Sequence, residues 1–189
     1  MIQSAFGPVG SSSTWRFASV VRAAGQWSIA ALILLTVGCG RPSTTSTASN
    51  GGPIDACALL TVDEVAAVLG TAVSPPQNEV IGAGDAGLAA ISQCVFTSTA
   101  EPTKSVSVFV RRSPVADNTP ESMRKSLSEF GATVQDVSGI GDAALWDGTQ
   151  LHIFKSEKTY VIITVSGFGE GAEALAKAKA VGEKATPRL

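Results

Sequence analysis

Hydrophobic and polar positions alternate with a period of two along SVSVFVRR, where Val106, Val108 and Val110 interleave with Ser105, Ser107 and Phe109. That period puts each set of side chains on its own face of a β-strand. QCVFTST precedes this run across the polar AEPTK, and ATVQDV, DAALW, LHIFK and TYVIITV follow it. Asp147-Gly148 and the polar Ser156-Glu157-Lys158 are natural hairpin turns between the last three segments. Elsewhere the period lengthens to that of a helix. In TVDEVAAVLG, Thr61 is placed to cap, Glu64 to complete a capping box and Gly70 to stop the turns. In NTPESMRKSLSEFG, Thr119 caps, Pro120 fills the first turn and Gly131 closes, with Met123, Leu127 and Phe130 on one face. A third helix is predicted from about Glu170 to Lys184. Leu175, Ala178 and Val181 line one side of it, and Glu173 and Lys177 form an i,i+4 pair on another. The order helix, two strands, helix, four strands, helix predicts an α+β fold: a two-layer domain of mostly antiparallel sheet packed with about three helices. The two similar openings, a capped helix and then strands, hint at a duplicated unit, although no residue-level repeat accompanies them.

The first third of the chain follows neither period. No Asp or Glu precedes Asp55, and Arg16 and Arg22 are the only charges before Arg41. SIAALILLTV, residues 28–37, is apolar and ends in Gly38-Cys39-Gly40. Ten residues of helix span about 15 Å, roughly half a hydrocarbon core, which suits an export signal better than a membrane span. Leu35-Thr36-Val37-Gly38-Cys39 resembles a bacterial lipobox, with Thr36 where Leu is usual three residues before the cysteine. That resemblance makes residues 1–38 a lipoprotein signal peptide and Cys39 the diacylated N-terminus of the mature chain. An ordinary secretory signal, with Cys39 merely nearby, is the alternative. A start near Val20 or Val21 would give the signal a more usual length. Two acyl chains hold a protein stably on a membrane, where one does not. GRPSTTSTASNGGP, residues 40–53, then carries no large apolar side chain and behaves as a tether with a reach of about 20 Å. Residues 39–53 are thus lipidated cysteine and linker, and residues 54–189 a single extracytoplasmic domain of about 136 residues.

Charge and cysteines narrow the partners. Without Arg16 and Arg22 the mature chain keeps 12 basic against 16 acidic residues, a net charge of −4. That argues against nucleic acid and against adhesion to anionic lipid by charge alone. With Cys39 acylated, Cys57 and Cys94 remain, and an even remainder in an exported chain points to a disulfide. A metal site at the pair lacks further ligands, because His152 is the only histidine.

One motif suggests chemistry. Gly82, Gly84 and Gly87 in VIGAGDAG stand at the G-x-G-x-x-G spacing that lets backbone wrap a pyrophosphate at a helix N-terminus. Such a fingerprint needs a parallel strand before it and a long helix after it. Here only NEVI precedes, after Pro75-Pro76, and LAAIS gives way within a few residues to Cys94 and a strand pattern. An irregular Gly/Ala loop is the expected outcome. Other candidates are weaker. His152 alternates with Leu151 and Ile153 and is expected to point to solvent or to a helix-free face. TVSGFG has Thr164 where a nucleophile elbow begins with glycine. Arg111-Arg112 beside Phe109 suggests either a contact patch or a solvated strand end. Gly139 and Gly141 fit a turn before a strand, and Trp146 fits packing rather than a binding platform. No catalytic, metal or cofactor-binding residue is nominated.

DACALLTVDEVAAVLG, the second cysteine in QCVF and VSGIGDAALW together make the chain from Asp55 to Lys184 resemble a family of actinobacterial-type exported lipoproteins of uncharacterised function. Phe96 stands at the aromatic position that the family usually fills with Trp. The resemblance implies that Cys57 pairs with Cys94 and that Thr61 and Glu64 cap the first helix; it carries no catalytic residues. The expectation is a non-enzymatic domain, anchored through lipid on the extracytoplasmic face of the cell membrane, that binds an envelope protein or a small ligand. A flavoprotein built on Gly82–Gly87 is the enzymatic alternative, and a structural part of an envelope complex the third.

Overall fold

In the computed structural model the described residues are 52–189; the predicted signal peptide and Cys39 lie outside them. Three helices appear among these residues: α1 Val62–Leu69, α2 Pro120–Glu129 and α3 Ala172–Ala185. Thr61 caps α1 from both directions: its hydroxyl accepts from the Glu64 backbone N–H, and the Glu64 carboxylate accepts from the Thr61 N–H. Gly70 ends that helix at φ +72°, a conformation that favours glycine. Thr119 caps α2 with Ser122 as its reciprocal partner, and Pro120 sits in the first turn.

Seven strands form one antiparallel sheet in the spatial order β1-β2-β3-β7-β6-β5-β4. They are β1 Gln77–Ala83, β2 Ala90–Thr97, β3 Ser105–Arg112, β4 Gln135–Asp136, β5 Ala143–Trp146, β6 Gln150–Lys155 and β7 Thr159–Ser166. Six strand segments were expected. The seventh, β1, runs through and beyond NEVI at the sheet edge, where most of its residues are exposed and no buried alternation marks it. ATVQDV, in contrast, contributes only the two-residue β4.

The period-two pattern of the strands becomes two unequal faces. Cys94 and Phe96 on β2, Val106, Val108 and Val110 on β3, and Val161, Ile163 and Val165 on β7 point to one side. There they meet Val65 and Leu69 of α1, Ala174, Ala178 and Val181 of α3, and Ala56 and Leu59 of a short 3-10 turn, Ala56–Leu59. Small residues let α3 lie close to the sheet. A Cβ on Gly182 would come within 3.1–3.3 Å of Ile153, Leu151 and Ile140 side-chain carbons. On the other side Leu145, Phe154 and Tyr160 form a second cluster with Met123 of α2 and with Val134. The two capped helices therefore land on opposite faces, so their similar openings do not mark a symmetric repeat.

Two helix expectations change. Phe130 does not share the half-buried face of Met123 and Leu127: it lies at the C-cap of α2, 89% exposed. Lys177 does not pair with Glu173. Its Nζ donates to Val68 O at the C-terminal end of α1, 2.8 Å away, and sits 4.3 Å from the Phe168 ring centroid. That carbonyl has no helical donor left to it, so it competes well for the ammonium.

Gly141 is where the turn before β5 most needs glycine. Its φ is +63°, and a Cβ would lie 2.6 Å from Phe154 O and 2.7 Å from Ile153 Cγ2. Gly139 also has positive φ, +84°, but nothing within 4 Å of an added Cβ. Gly139→Ala is expected to lose about 1–2 kcal/mol in urea unfolding, the strain of the left-handed backbone alone. Gly141→Ala should lose clearly more, because backbone must move as well.

Candidate functional site

The chain joins its domain across the first two strands. Cys57 and Cys94 form a disulfide with Cα atoms 5.0 Å apart, as the cysteine count predicts. Asp55 caps the 3-10 turn through the Cys57 N–H and accepts from Asn78 Nδ2 of β1. The Ser92 hydroxyl donates to Ile54 O. Closing a loop with a sequence separation of 37 contributes about 3–4 kcal/mol in the chain-entropy model.

The three glycines of the nucleotide-like motif lie on a β-hairpin. Gly82 belongs to β1, opposite Ile91 beside a bulge. Gly84 and Gly87 have positive φ, and between them lies only a three-residue 3-10 turn, Asp85–Gly87. LAAIS leads directly into β2, which runs antiparallel to β1. The parallel strand and long helix that aim backbone N–H groups at a pyrophosphate are replaced here by a hairpin turn.

His152 departs from expectation. Its residue is 3% exposed, on the face of β6 that α2 helps cover. Nε2 lies 3.0 Å from Asp147 Oδ2, and Nδ1 contacts the Tyr160 hydroxyl. Asp147 belongs to the β5–β6 turn, where Oδ1 also accepts from the Thr149 and Gln150 N–H groups and the Thr149 hydroxyl. Burial pushes the Asp147 pKa up, but the hydrogen bonds from His152, Thr149 and Gln150 together outweigh it, and the net shift is downward. Burial first, and the Asp147 charge second, push the Tyr160 hydroxyl well above its usual range. A carboxylate facing Nε2 places the imidazole proton there. Nδ1 is then the acceptor for the neutral Tyr160 hydroxyl, whose other neighbour is Met123 Sδ at 3.8 Å. The result is a closed polar chain, Asp147–His152–Tyr160, ending under α2. Sequence reasoning missed Asp147 and Tyr160 as partners. The available signal was the Asp-Gly turn, which brings Asp147 back toward the strand carrying His152.

Arg111 and Arg112 point to opposite faces of β3 and form no joint patch. Arg111 makes a two-pronged contact with Asp117, at 2.8 and 2.6 Å, and thereby lowers the Asp117 pKa to about 2. Arg188 holds Glu64 in the same way, at 2.7 and 2.9 Å, and that hydrogen bonding, with the Thr61 N–H, brings the Glu64 pKa to about 2. Trp146 is buried in the main core, as its packing assignment requires. Among the described residues, no three His, Cys, Asp or Glu side chains gather as a metal would need.

The remaining broad surface is the second face of the sheet. Ile91 and Val95 on β2, Phe109 on β3 and Ile162 on β7 are each half-buried there. Polar pairs interleave with them: Gln93 donates to Ser107 Oγ at 3.1 Å, and Gln150 to Thr164 Oγ1 at 3.3 Å. Half-buried apolar side chains thus alternate with hydrogen-bonded polar ones across this face, while His152 is 3% exposed and Asp147 only partly buried. No protein-family model matches this sequence, and neither the curated proteins nor the solved structures contain a match to it.

Tyr160→Phe removes the hydroxyl and leaves Nδ1 of a buried imidazole without its partner. Chemical unfolding is expected to show a loss of about 1–3 kcal/mol. A change within 0.3 kcal/mol would show that the chain contributes nothing to stability.

Acid unfolding supplies a second check. Glu64 and Asp117 have folded pKa values of about 2, below their ordinary 4.5 and 3.8. Their stabilisation is therefore complete above about pH 5 and is lost as pH falls through about 2. Glu64→Gln and Asp117→Asn should each flatten the fall in stability between pH 4.5 and 2, measured by thermal unfolding across that range.

Proposed function

We propose that this chain is an exported lipoprotein, fastened through Cys39 to the extracytoplasmic face of the cell membrane, whose α+β domain binds and does not catalyse. The observation that supports it best is the Cys57–Cys94 disulfide, which fixes the start of the domain to the second strand. Such bonds persist in oxidising compartments and are rare in the cytosol. The acid-free leader, short apolar run and lipobox-like LTVGC lead to the same compartment independently. The half-buried apolar and amide side chains on the second sheet face favour a binding role, with an envelope protein or a small ligand as partner. On this reading the chain sits with the actinobacterial-type exported lipoproteins.

The natural product decides the matter by intact mass and cell fractionation. A mature chain beginning at diacylated Cys39, found in the membrane fraction, is the expected result. Cys39→Ser should accumulate as unprocessed precursor. An unacylated cytosolic chain with free thiols at Cys57 and Cys94 would sink the proposal.

A further inference from the structure

Six large hydrophobic residues are exposed among the described residues, and their distribution is uneven. Val80, Ile81 and Leu88, at 56%, 51% and 70% exposure, belong to the first hairpin. Val115, at 60%, lies in the loop just after β3. Ala90 pairs with Arg112, so the hairpin tip and the Val115 loop open at the same end of the sheet.

The direction in which the tether leaves points to that end as well. Cys57 is fixed to Cys94, whereas Ile54, three residues earlier, is held at Ser92. On β2 the step from Cys94 to Ser92 continues to Ala90 and the hairpin tip. From Cys57 back to Ile54 the chain therefore runs toward the end that carries Leu88 and Val115. Only 15 residues, 39–53, separate Ile54 from the anchor side chain when counted from Cys39. On the lipoprotein reading, a linker of that length and composition spans about 20 Å, which keeps this end close to whatever holds Cys39.

We infer that the end of the sheet bearing Leu88 and Val115, with Val80 and Ile81 beside it on β1, is a membrane-facing surface that settles into the lipid interface beside the anchor. This rests on the lipoprotein reading above, since the tether supplies the local concentration. The charges at this end suit an apolar, not a coulombic, contact. Arg111 is paired with Asp117 and Lys155 with Asp142, and the formal charges of Arg112, Lys158, Asp85 and Glu157, which also lie at this end, sum to zero. The net charge of −4 on the mature chain likewise leaves no general attraction to anionic lipid. Apolar side chains close to a bilayer bury their surface in its boundary region without any such attraction.

Trp146 is the one tryptophan after Cys39, and it is buried, so an introduced tryptophan reports on its own surroundings. The processed full-length lipoprotein is placed in phosphatidylcholine vesicles with and without brominated acyl chains, as Leu88→Trp and as Thr103→Trp. Thr103 is exposed in the β2–β3 turn, at the opposite end of the sheet. Leu88→Trp should shift its emission to the blue and be quenched by the brominated lipid at least twofold more than Thr103→Trp. Equal quenching at the two positions, or none at either, overturns the inference. So does a blue shift at residue 88 that appears without lipid and grows with protein concentration, because the hairpin would then be covered by a second copy. Intact mass of the same sample separates the two ideas. A diacylated chain without selective quenching refutes the surface and leaves the lipoprotein reading standing. An unacylated chain refutes that reading. Selective quenching by added vesicles would then still support the surface, and its absence would refute both.

Discussion

Fastening the start of the domain to its second strand is the constraint on which the rest of this structure turns. Cys94 is fully buried on β2 beneath the 3-10 turn, and Cys57 lies in that turn, whose Ala56 and Leu59 enter the main core. The covalent bond thus closes the core at the side where β1, an exposed edge strand, offers little cover. A contribution of about 3–4 kcal/mol is large for a domain whose whole stability is expected to be about 5–15 kcal/mol. The same bond sets the direction of the preceding residues through Asp55 on Asn78 and Ile54 on Ser92. Fold stability and the course of the chain from Ile54 to Cys57 therefore have one physical origin.

The two faces of the sheet are stabilised by different means. The first is filled by branched aliphatic side chains from β3 and β7 and by the alanine-rich side of α3, where close approach matters more than side-chain bulk. The second is only partly covered, and beneath α2 it contains a histidine, a tyrosine and a carboxylate. Burying these groups is tolerable because each finds a partner: among the described residues no buried side-chain nitrogen or oxygen is left without one. A buried polar chain with every member bonded also pins α2 to the sheet in one geometry, since sliding Met123 off Tyr160 would disturb contacts that reach Asp147.

Features set by neighbours in sequence were legible before the structure. Thr61 with Glu64, Thr119 with Pro120, Gly70 and the Asp147-Gly148 turn act within three or four residues, and each appears where local chemistry puts it. Features set by distant partners were not. His152 was assigned to a solvent or helix-free face because nothing near it in sequence announces α2, which begins some thirty residues earlier and crosses over it. Lys177 follows an i,i+4 rule on paper, yet Val68 O, 109 residues away in sequence, offers an unsatisfied helix-end acceptor. The edge strand β1 has no buried alternation to detect because it has no second neighbour to be buried against. The glycine spacing marks the opposite case, in which letters suggest a site and topology removes it. Three glycines permit a tight turn equally well before a helix or between antiparallel strands, and the segment after Gly87 decides which.

Orientation links these observations. If the hairpin end settles at a bilayer as inferred above, the strand ends at the hairpin tip and the Val115 loop meet it first, with Val80 and Ile81 on the β1 edge beside them. The second face, carrying Phe109, Ile162 and Val95, is then presented sideways and lies along neither the lipid nor the tether. The far end, with the β2–β3 turn and the Asp147 turn, projects outward. A partner approaching laterally would meet an interleaved apolar and amide surface beside α2, where Leu127 is half-buried and Phe130 lies bare at the helix terminus. Met123 is the α2 side chain that reaches the Leu145–Phe154–Tyr160 cluster, whereas Phe130, at the C-cap of the same helix, remains 89% exposed.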